Sequence, residues 1–362
     1  MGLHRQHRRP RGGNRPDGAG RAPMKVLFCT NDQSFQPSNE PYGFYLGIQS
    51  LGHEVEVFYY RKKSFFYSNF RKPWVRWMNN RLAEKCVREG FDLLLVHRGG
   101  YVAEETLERI RRESPCRTVC FFPDNPFGAY TPPLPFGLIG AYDLFVTKDT
   151  YFEEEFRLYG FDNVAALPHA YDPSEFETRF TDEELAPFRA DVAFIGGYHP
   201  FRERIFSGLT DEGVAFRIWG PRWAQATDPW IRERVHMQRA LDRDEKLKVL
   251  QASKILINLQ HGAGALYWPD DKVAQYMGAG ALMIVNHKRD IGRIFELEEE
   301  ILTYRSREEL QGLIRRYLAD EPGRAGIARR GQARARRDHT TAVRFGQILD
   351  LLRERGLPAG GE

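Results

Sequence analysis

From Met24 onward the chain alternates short apolar runs with longer amphipathic ones. MKVLFCT (24–30), HEVEVFYY (53–60), FDLLLVH (91–97), RTVCFFP (117–123), DLFVTK (143–148) and NVAALPH (163–169) read as strands. Between several of them, Pro73–Glu89 and Ala103–Glu113 carry helical spacing. A β-then-α rhythm predicts a mainly parallel, doubly wound sheet over residues 24–170. The Pro-rich stretch from Asp124 to Gly140 breaks that rhythm and reads as an irregular loop at a strand's C-terminal end, the edge where open α/β sheets meet ligands. A polar, acidic linker spans residues 171–189. The alternation then restarts with DVAFIGG, VAFRIWG, KILINLQ, ALMIVN and EILTY, giving a second α/β domain over 190–335. After Tyr304 only helical patterns remain, at Arg305–Leu318, Pro322–Arg336 and Thr340–Arg355, so 336–362 is a terminal helix and tail. Two such domains in tandem leave a cleft between them.

At 362 residues the chain is long enough for two cores of ordinary size. Its net charge of +4 belongs to one end: residues 1–23 hold six Arg and one Asp, leaving 47 basic against 48 acidic residues elsewhere. That tail is too poor in apolar residues to order itself, lacks the apolar stretch of a signal peptide, and makes Met24 read as the start of the folded chain. A near-neutral body offers no continuous track for nucleic-acid phosphates. The second basic run, Arg329–Arg337, reads as a solvated helix face. Cys29, Cys86, Cys116 and Cys120 lack metal-ligand spacing and fit buried thiols in a reducing, cytoplasmic setting. No apolar run of about 18 residues is present to span a membrane.

Three constellations could carry chemistry. In DVAFIGGYHPFRERIF a strand runs into Gly196 and Gly197 and then a helix with Arg202; such a turn can offer backbone donors and an Arg fork to phosphate, or be a plain strand exit. It is neither the G-x-G-x-x-G fingerprint nor a P-loop. KILINLQHGAGALYWPDDK ends a buried strand at Asn258 and passes through His261, Gly262 and Gly264. The segment DDKVAQYMGAGALMIVN then places Lys272 and Gln275 one turn apart on a short helix that stops at Gly278 and Gly280, a layout suited to a ligand or simply to packing. In the first domain His97 ends a strand at the cleft, as a base, a sugar contact or a strand cap, and Asp124 is either a second candidate base or a turn former. His169 sits at the domain junction. No metal site is expected: Asp242 and Asp244 of LDRDEK start a solvated helix rather than a metal loop.

From about Ala190 to Leu352 these motifs resemble the CgeB-like branch of the GT-B glycosyltransferases. The resemblance runs through DVAFIGG with Arg202, ASKILINLQ, DDKVAQYMGAGALMIV, EILTYRSREELQGLIRRYL and IARRGQARARRDHTTAVRFGQIL, with LPHAYDPSEF and a PDNP turn at Pro123–Pro126 before them. It implies a GT-B fold: a Rossmann-like acceptor domain, a donor domain and a final helix returning to the first. It further implies transfer of a sugar from a nucleotide-sugar donor, used as substrate, to an acceptor hydroxyl, and a docking role for His339 and Arg344; Lys272 and the Gly196 turn would offset the diphosphate charge, so no metal or other cofactor is expected. In such enzymes the helix here spanning Lys272–Ala279 carries a basic residue and a carboxylate that holds the nucleotide ribose; this chain has Lys272 and Gln275. A charged acceptor contributes about 1.5–3 kcal/mol per hydrogen bond against about 0.5–1.5 for a neutral one, so Gln275 costs near 1 kcal/mol, or about tenfold or less in donor affinity. The alternative is a catalytically idle member that binds a nucleotide, glycan or protein.

Overall fold

The computed structural model describes residues 22–31, 33, 35–37, 39–61, 64–127, 136–260 and 266–360, for Asp271 the backbone only. The basic tail up to residue 21, residues 128–135 of the Pro-rich loop, and His261, Gly262 and Gly264 fall outside the described residues.

Six parallel strands form the first sheet: β1 (Lys25–Asn31), β2 (Glu54–Arg61), β3 (Leu93–His97), β4 (Arg117–Phe122), β5 (Leu144–Thr147) and β6 (Val164–Ala166), in the order β2-β1-β3-β4-β5-β6. The second holds β7 (Ala190–Ile195), β8 (Phe216–Trp219), β9 (Val235–Met237), β10 (Ser253–Asn258), β11 (Leu282–Asn286) and β12 (Leu302–Tyr304), in the order β12-β11-β10-β7-β8-β9. Central strands such as β3 are buried along their whole length, which is why they read as unbroken apolar runs; edge strand β2 exposes its alternate glutamates. Strand β9 is the element the hydrophobic pattern does not announce: three residues, none fully buried, at an edge.

The first domain's helices are α1 (Glu40–Ser50), α2 (Phe65–Asn69), α3 (Arg71–Arg88), α4 (Glu104–Glu113), α5 (Phe136–Ala141) and α6 (Thr150–Leu158). The linker carries α7 (Asp182–Leu185). The second domain adds α8 (Pro200–Phe206), α9 (Pro229–Arg232), α10 (Arg243–Ala252), α11 (Asp271–Ala279), α12 (Arg307–Ala319) and α13 (Glu321–Asp338), before α14 (Thr341–Glu354). Local chemistry explains several starts. Asp242 and Glu245 close a capping box on α10, so Asp242 serves a helix end. Glu104 and Glu105 open α4 and Arg111 and Arg112 close it, complementing the helix dipole.

Each sheet is covered on both faces by apolar clusters. As expected, α14 returns to the first domain, where Phe345, Ile348 and Leu352 join Val26, Phe28 and Phe44 in one core. Gly47 permits this approach, since a Cβ there would lie 2.7 Å from the Ala342 nitrogen.

A crevice opens in each sheet where strand order reverses, because the connections on its two sides leave in opposite directions. In the first sheet that point lies between β1 and β3, and in the second between β7 and β10.

Candidate functional site

At the first switch point the chain assembles a carboxylate between two imidazoles. His97 ends β3 and Glu40 opens α1; His97 Nε2 lies 3.3 Å from one Glu40 oxygen and His169 Nδ1 lies 3.1 Å from the other. The Ala170 N–H adds a bond of 3.3 Å to the same carboxylate. His97 is 2% exposed and stacks on Phe121. Burial alone would push the Glu40 carboxyl up, but the charge and hydrogen bond of His169, with those of His97, outweigh it and hold it well below the usual range. Burial pushes His97 down, only partly opposed by Glu40, so its ring is neutral at pH 7. An ionised Glu40 accepts, so His97 Nε2 carries the proton and Nδ1 is left as an acceptor, with no hydrogen-bond partner among the described residues.

Behind this pair lies Arg344 of α14, buried, donating to the His169 carbonyl at 3.4 Å and reaching His339 Nδ1 at 3.3 Å. Tyr171 and Thr340 form a bridge beside them. These contacts tie the linker and the terminal helix to the first domain.

Asp124, beyond the end of β4, faces the Arg98 guanidinium at 2.9 Å, and Arg98 itself sits in the left-handed region at φ 70°. Its lone pairs are already engaged by a cation, which weakens its case as a free base. Of the two catalytic candidates, His97 keeps an unengaged acceptor and Asp124 lies one strand away, linked through Arg98.

The second switch point is cationic. Arg202 reaches from α8 to the Gly197 carbonyl at 2.5 Å and to the Leu259 carbonyl at 3.2 Å, so one guanidinium bridges the exits of β7 and β10. It packs against Phe194 and Phe201. Burial pushes its proton affinity down, followed in effect by attraction to Asp270 and repulsion from Arg222, which places all three in one electrostatic neighbourhood. Asp270 caps α11, accepting from the Lys272 N–H at 3.2 Å and from Asn258 at 2.9 Å, and its carboxylate lies 3.7 Å from Lys272 Nζ. Lys288, just past β11, is also buried; burial pulls it down and Asp149 and Asp270 oppose that. Arg202, Lys272 and Lys288 thus lie in the field of Asp270, with Arg222 beside Arg202. Arg222, Lys288, Asp270 and Glu40 escaped the sequence reading. Only GPRW and NHKRD, each directly after a strand, hinted at the first two.

Two sequence expectations change here. The Gly196–Gly197 turn does not present a row of open amides: the Gly196 N–H donates to the Trp219 carbonyl at 2.8 Å and the Tyr198 N–H to the Pro221 carbonyl at 2.9 Å. Moreover α8 is seven residues long and opens with Pro200, which has no N–H. The glycines serve close packing instead, for a Cβ on neighbouring Gly220 would sit 2.2 Å from the Gly196 oxygen. What this turn could offer an anion is therefore the Arg202 and Arg222 side chains rather than its amides.

Gln275 is the second change. Its side-chain N–H group donates at 2.9 Å to Glu175, a buried carboxylate of the linker 100 positions away. Burial pushes Glu175 up, partly offset by Lys246 and Gln275. A glutamate at 275 would set two carboxylates against each other, which gives a structural reason for glutamine here. Gly278 similarly makes room for the Tyr171 ring, 2.7 Å from where a Cβ would stand, and Gly280 closes α11 at φ 94°. Arg202 and Lys272 thus share the Asp270 neighbourhood, while Gln275 engages the linker.

The domains also meet directly. Asp149, the cap of α6, accepts from the N–H groups of Leu266, Tyr267 and Trp268 at 2.9, 3.0 and 3.2 Å, and Thr150 donates to buried Asp290 at 2.7 Å. This seam adjoins Lys288 and the entry to α11. All four cysteines are free and buried. Among the described residues no cluster of three or more His, Cys, Asp or Glu could hold a metal, and no helix is long and apolar enough to cross a membrane.

Comparison with known proteins bears on the fold. Residues 202–350 match a family described as glycosyl transferase-like, a broader group than the CgeB-like branch. No curated protein matches the chain. Among solved structures, Anabaena HepE in complex with UDP and glucose is 14% identical, with 91% of this chain and 100% of that one covered at a TM-score of 0.60. Sucrose-phosphate synthase from Thermosynechococcus elongatus gives 11% identity, 92% and 100% coverage and a TM-score of 0.61. A glycosyltransferase from Rickettsia africae gives 10%, 92% and 98%, and 0.64. The chain has the GT-B fold shared by these proteins, and its second half carries a glycosyl transferase-like domain.

Proposed function

We propose that this chain is a glycosyltransferase that moves a sugar from a nucleoside diphosphate donor, UDP in the first instance, to an acceptor hydroxyl. The observation that carries the reading is the Arg202 guanidinium spanning the second switch point beside Arg222, with Lys272 and Lys288 near the carboxylate of Asp270. When the bond between the anomeric carbon and the diphosphate oxygen breaks, negative charge grows on the leaving nucleotide. Cations fixed beforehand in a part-buried site stabilise that charge most. They would perform the neutralisation that a divalent ion performs elsewhere, so transfer is expected to be metal-independent.

The acceptor oxygen forms the new bond and gives up its proton. Neutral His97, with Nε2–H held by Glu40, is the candidate to take that proton at Nδ1, which is buried without a partner among the described residues and meets a hydroxyl only when substrate displaces what covers it. Asp124, paired with Arg98, is better suited to orient than to abstract. From their place in the sequence just after a buried strand, His261, Gly262 and Gly264 are also assigned to the donor. Four free, buried thiols support a reducing, cytoplasmic setting.

Thermal shift against UDP, UDP-glucose and other nucleoside diphosphates, followed by hydrolysis and transfer assays with and without EDTA, tests this. The expected result is stabilisation by UDP and a UDP-sugar, lost in Arg202→Ala, with turnover insensitive to EDTA. No stabilisation by any nucleotide would end the reading. Binding without turnover would favour an idle GT-B protein, a reading supported by Gln275 being tied to Glu175.

A further inference from the structure

The segment from Arg61 to Arg88, spanning α2 and α3 on the first domain, takes no part in either switch point. It holds nine Lys or Arg against one acidic residue, Glu84, while the rest of the chain from Met24 on carries more acidic than basic residues. Its apolar residues are exposed to an unusual degree: Phe65 is 79% exposed, Phe66 47%, Phe70 50% and Trp77 49%. They are contiguous. Phe66 packs against Phe70 at 5.4 Å and Trp74 at 6.4 Å between ring centres, and Trp74 against Trp77 at 5.0 Å. Along α3 the solvent face repeats Phe70, Pro73, Trp77 and Arg81 at helical spacing, with Arg81 over the Trp77 ring.

A contiguous patch of large exposed aromatics rimmed by cations is rare on a surface that faces only water and marks an interaction site more often than not. Among the described residues, none of Arg71, Lys72 and Arg76 makes an ion pair, so their charge is available outward. The physical features match a helix lying in a lipid interface: phenylalanines to enter the acyl boundary, tryptophans at headgroup depth, basic side chains for anionic headgroups. The aromatics project from two helices rather than lining a channel, which favours a flat fluid surface over a single nucleic-acid strand.

We propose that the α2–α3 face docks this protein on an anionic phospholipid bilayer. The contact bears on the cleft, because α3 holds the loop after β3: Asn79 bonds the Tyr101 carbonyl at 2.9 Å and the Ala103 N–H at 2.8 Å, and Tyr67 meets Tyr101 at 3.0 Å between hydroxyls. That loop begins with Arg98, next to His97. The docked face and the acceptor wall of the cleft are thus mechanically joined.

The test is co-sedimentation of the full-length chain with vesicles of phosphatidylcholine alone or equimolar with phosphatidylglycerol. Binding to anionic vesicles is expected to exceed binding to neutral ones by at least about tenfold, and to weaken with salt. The pair Phe65→Ser with Phe66→Ser, both exposed and so harmless to folding, should weaken it by about tenfold or more. Arg71→Glu with Arg76→Glu should weaken it further, at roughly fivefold for each charge lost. Arg329→Glu, on exposed α13, should change nothing. The proposal is overturned if anionic vesicles are not bound, if the Phe pair binds them unchanged, or if a single-stranded oligonucleotide displaces them from this face. Nucleotide thermal shifts of these variants should match wild type, which separates this proposal from the donor-site reading.

Discussion

The two switch points occupy the same topological position in two similar sheets and have opposite chemistry. In the first sheet, a carboxylate is enclosed by two imidazoles and an amide, charges are nearly balanced, and His97 presents a neutral acceptor. In the second, Arg202, Arg222, Lys272 and Lys288 gather near Asp270, with Asp149 also facing Lys288, so basic side chains predominate. Topology places both crevices at strand C-termini. What each can hold is decided by side chains delivered from loops: an excess of cations suits a leaving diphosphate, and a neutral imidazole suits hydroxyls.

The comparison can be broken hardest at Glu40. Glu40→Ala leaves His97, His169 and the Ala170 amide without their shared acceptor, and a loss of about 3–5 kcal/mol in urea unfolding is expected, as for removing one partner of a buried ionic group. A loss below about 1 kcal/mol would mean that the first crevice is not held by this network. Next in size is Arg202. Arg202→Ala should lower UDP affinity by about tenfold to a hundredfold in calorimetry, and Arg202→Lys should recover little, because a single ammonium does not replace a fork spanning two carbonyls.

Acid should separate the two crevices. Burial lowers the His97 and His339 pKa values in the folded state, so below about pH 6.5 the unfolded chain binds more protons and stability falls. Glu40, held low, adds to the loss only below about pH 4.5. The slope is at most about 1.4 kcal/mol per pH unit for each group. Stability that instead rises between pH 6.5 and 5 would refute the neutral assignment of His97. The smallest effect expected is for Gln275→Glu: about 1 kcal/mol of destabilisation near neutral pH, from repulsion by Glu175, and relieved in acid as the pair takes up a proton. The family pattern alone suggests that this change improves donor binding by up to about tenfold; if affinity rises with no cost in stability, the Glu175 contact is not the reason for glutamine.

Much of the architecture was legible because periodicity is local. The runs FDLLLVH and RTVCFFP announce β3 and β4, the spacing in Arg305–Leu318 announces α12, and the Asp242 capping box explains why LDRDEK is a helix start. Strand β9 was not legible, since two half-buried residues flanking an exposed His236 at an edge leave no apolar run. At the candidate site, Arg202, Lys272 and His97 were found from their positions after strands. The supposed amide cradle at Gly196 was not, because whether an N–H is open depends on β8, whose Trp219 carbonyl takes it.

The sequence by itself determined the elements, the parallel order of their succession and hence two crevices, because hydrophobic spacing and strand-end glycines act over a few residues. Only the tertiary structure decided what faces what. Gln275 meets Glu175 across 100 positions, and Asp149 caps amides 117 to 119 positions away. Such pairings depend on how strand order and loop paths fold distant segments onto one edge. No local pattern encodes a partner that only packing brings within 3 Å.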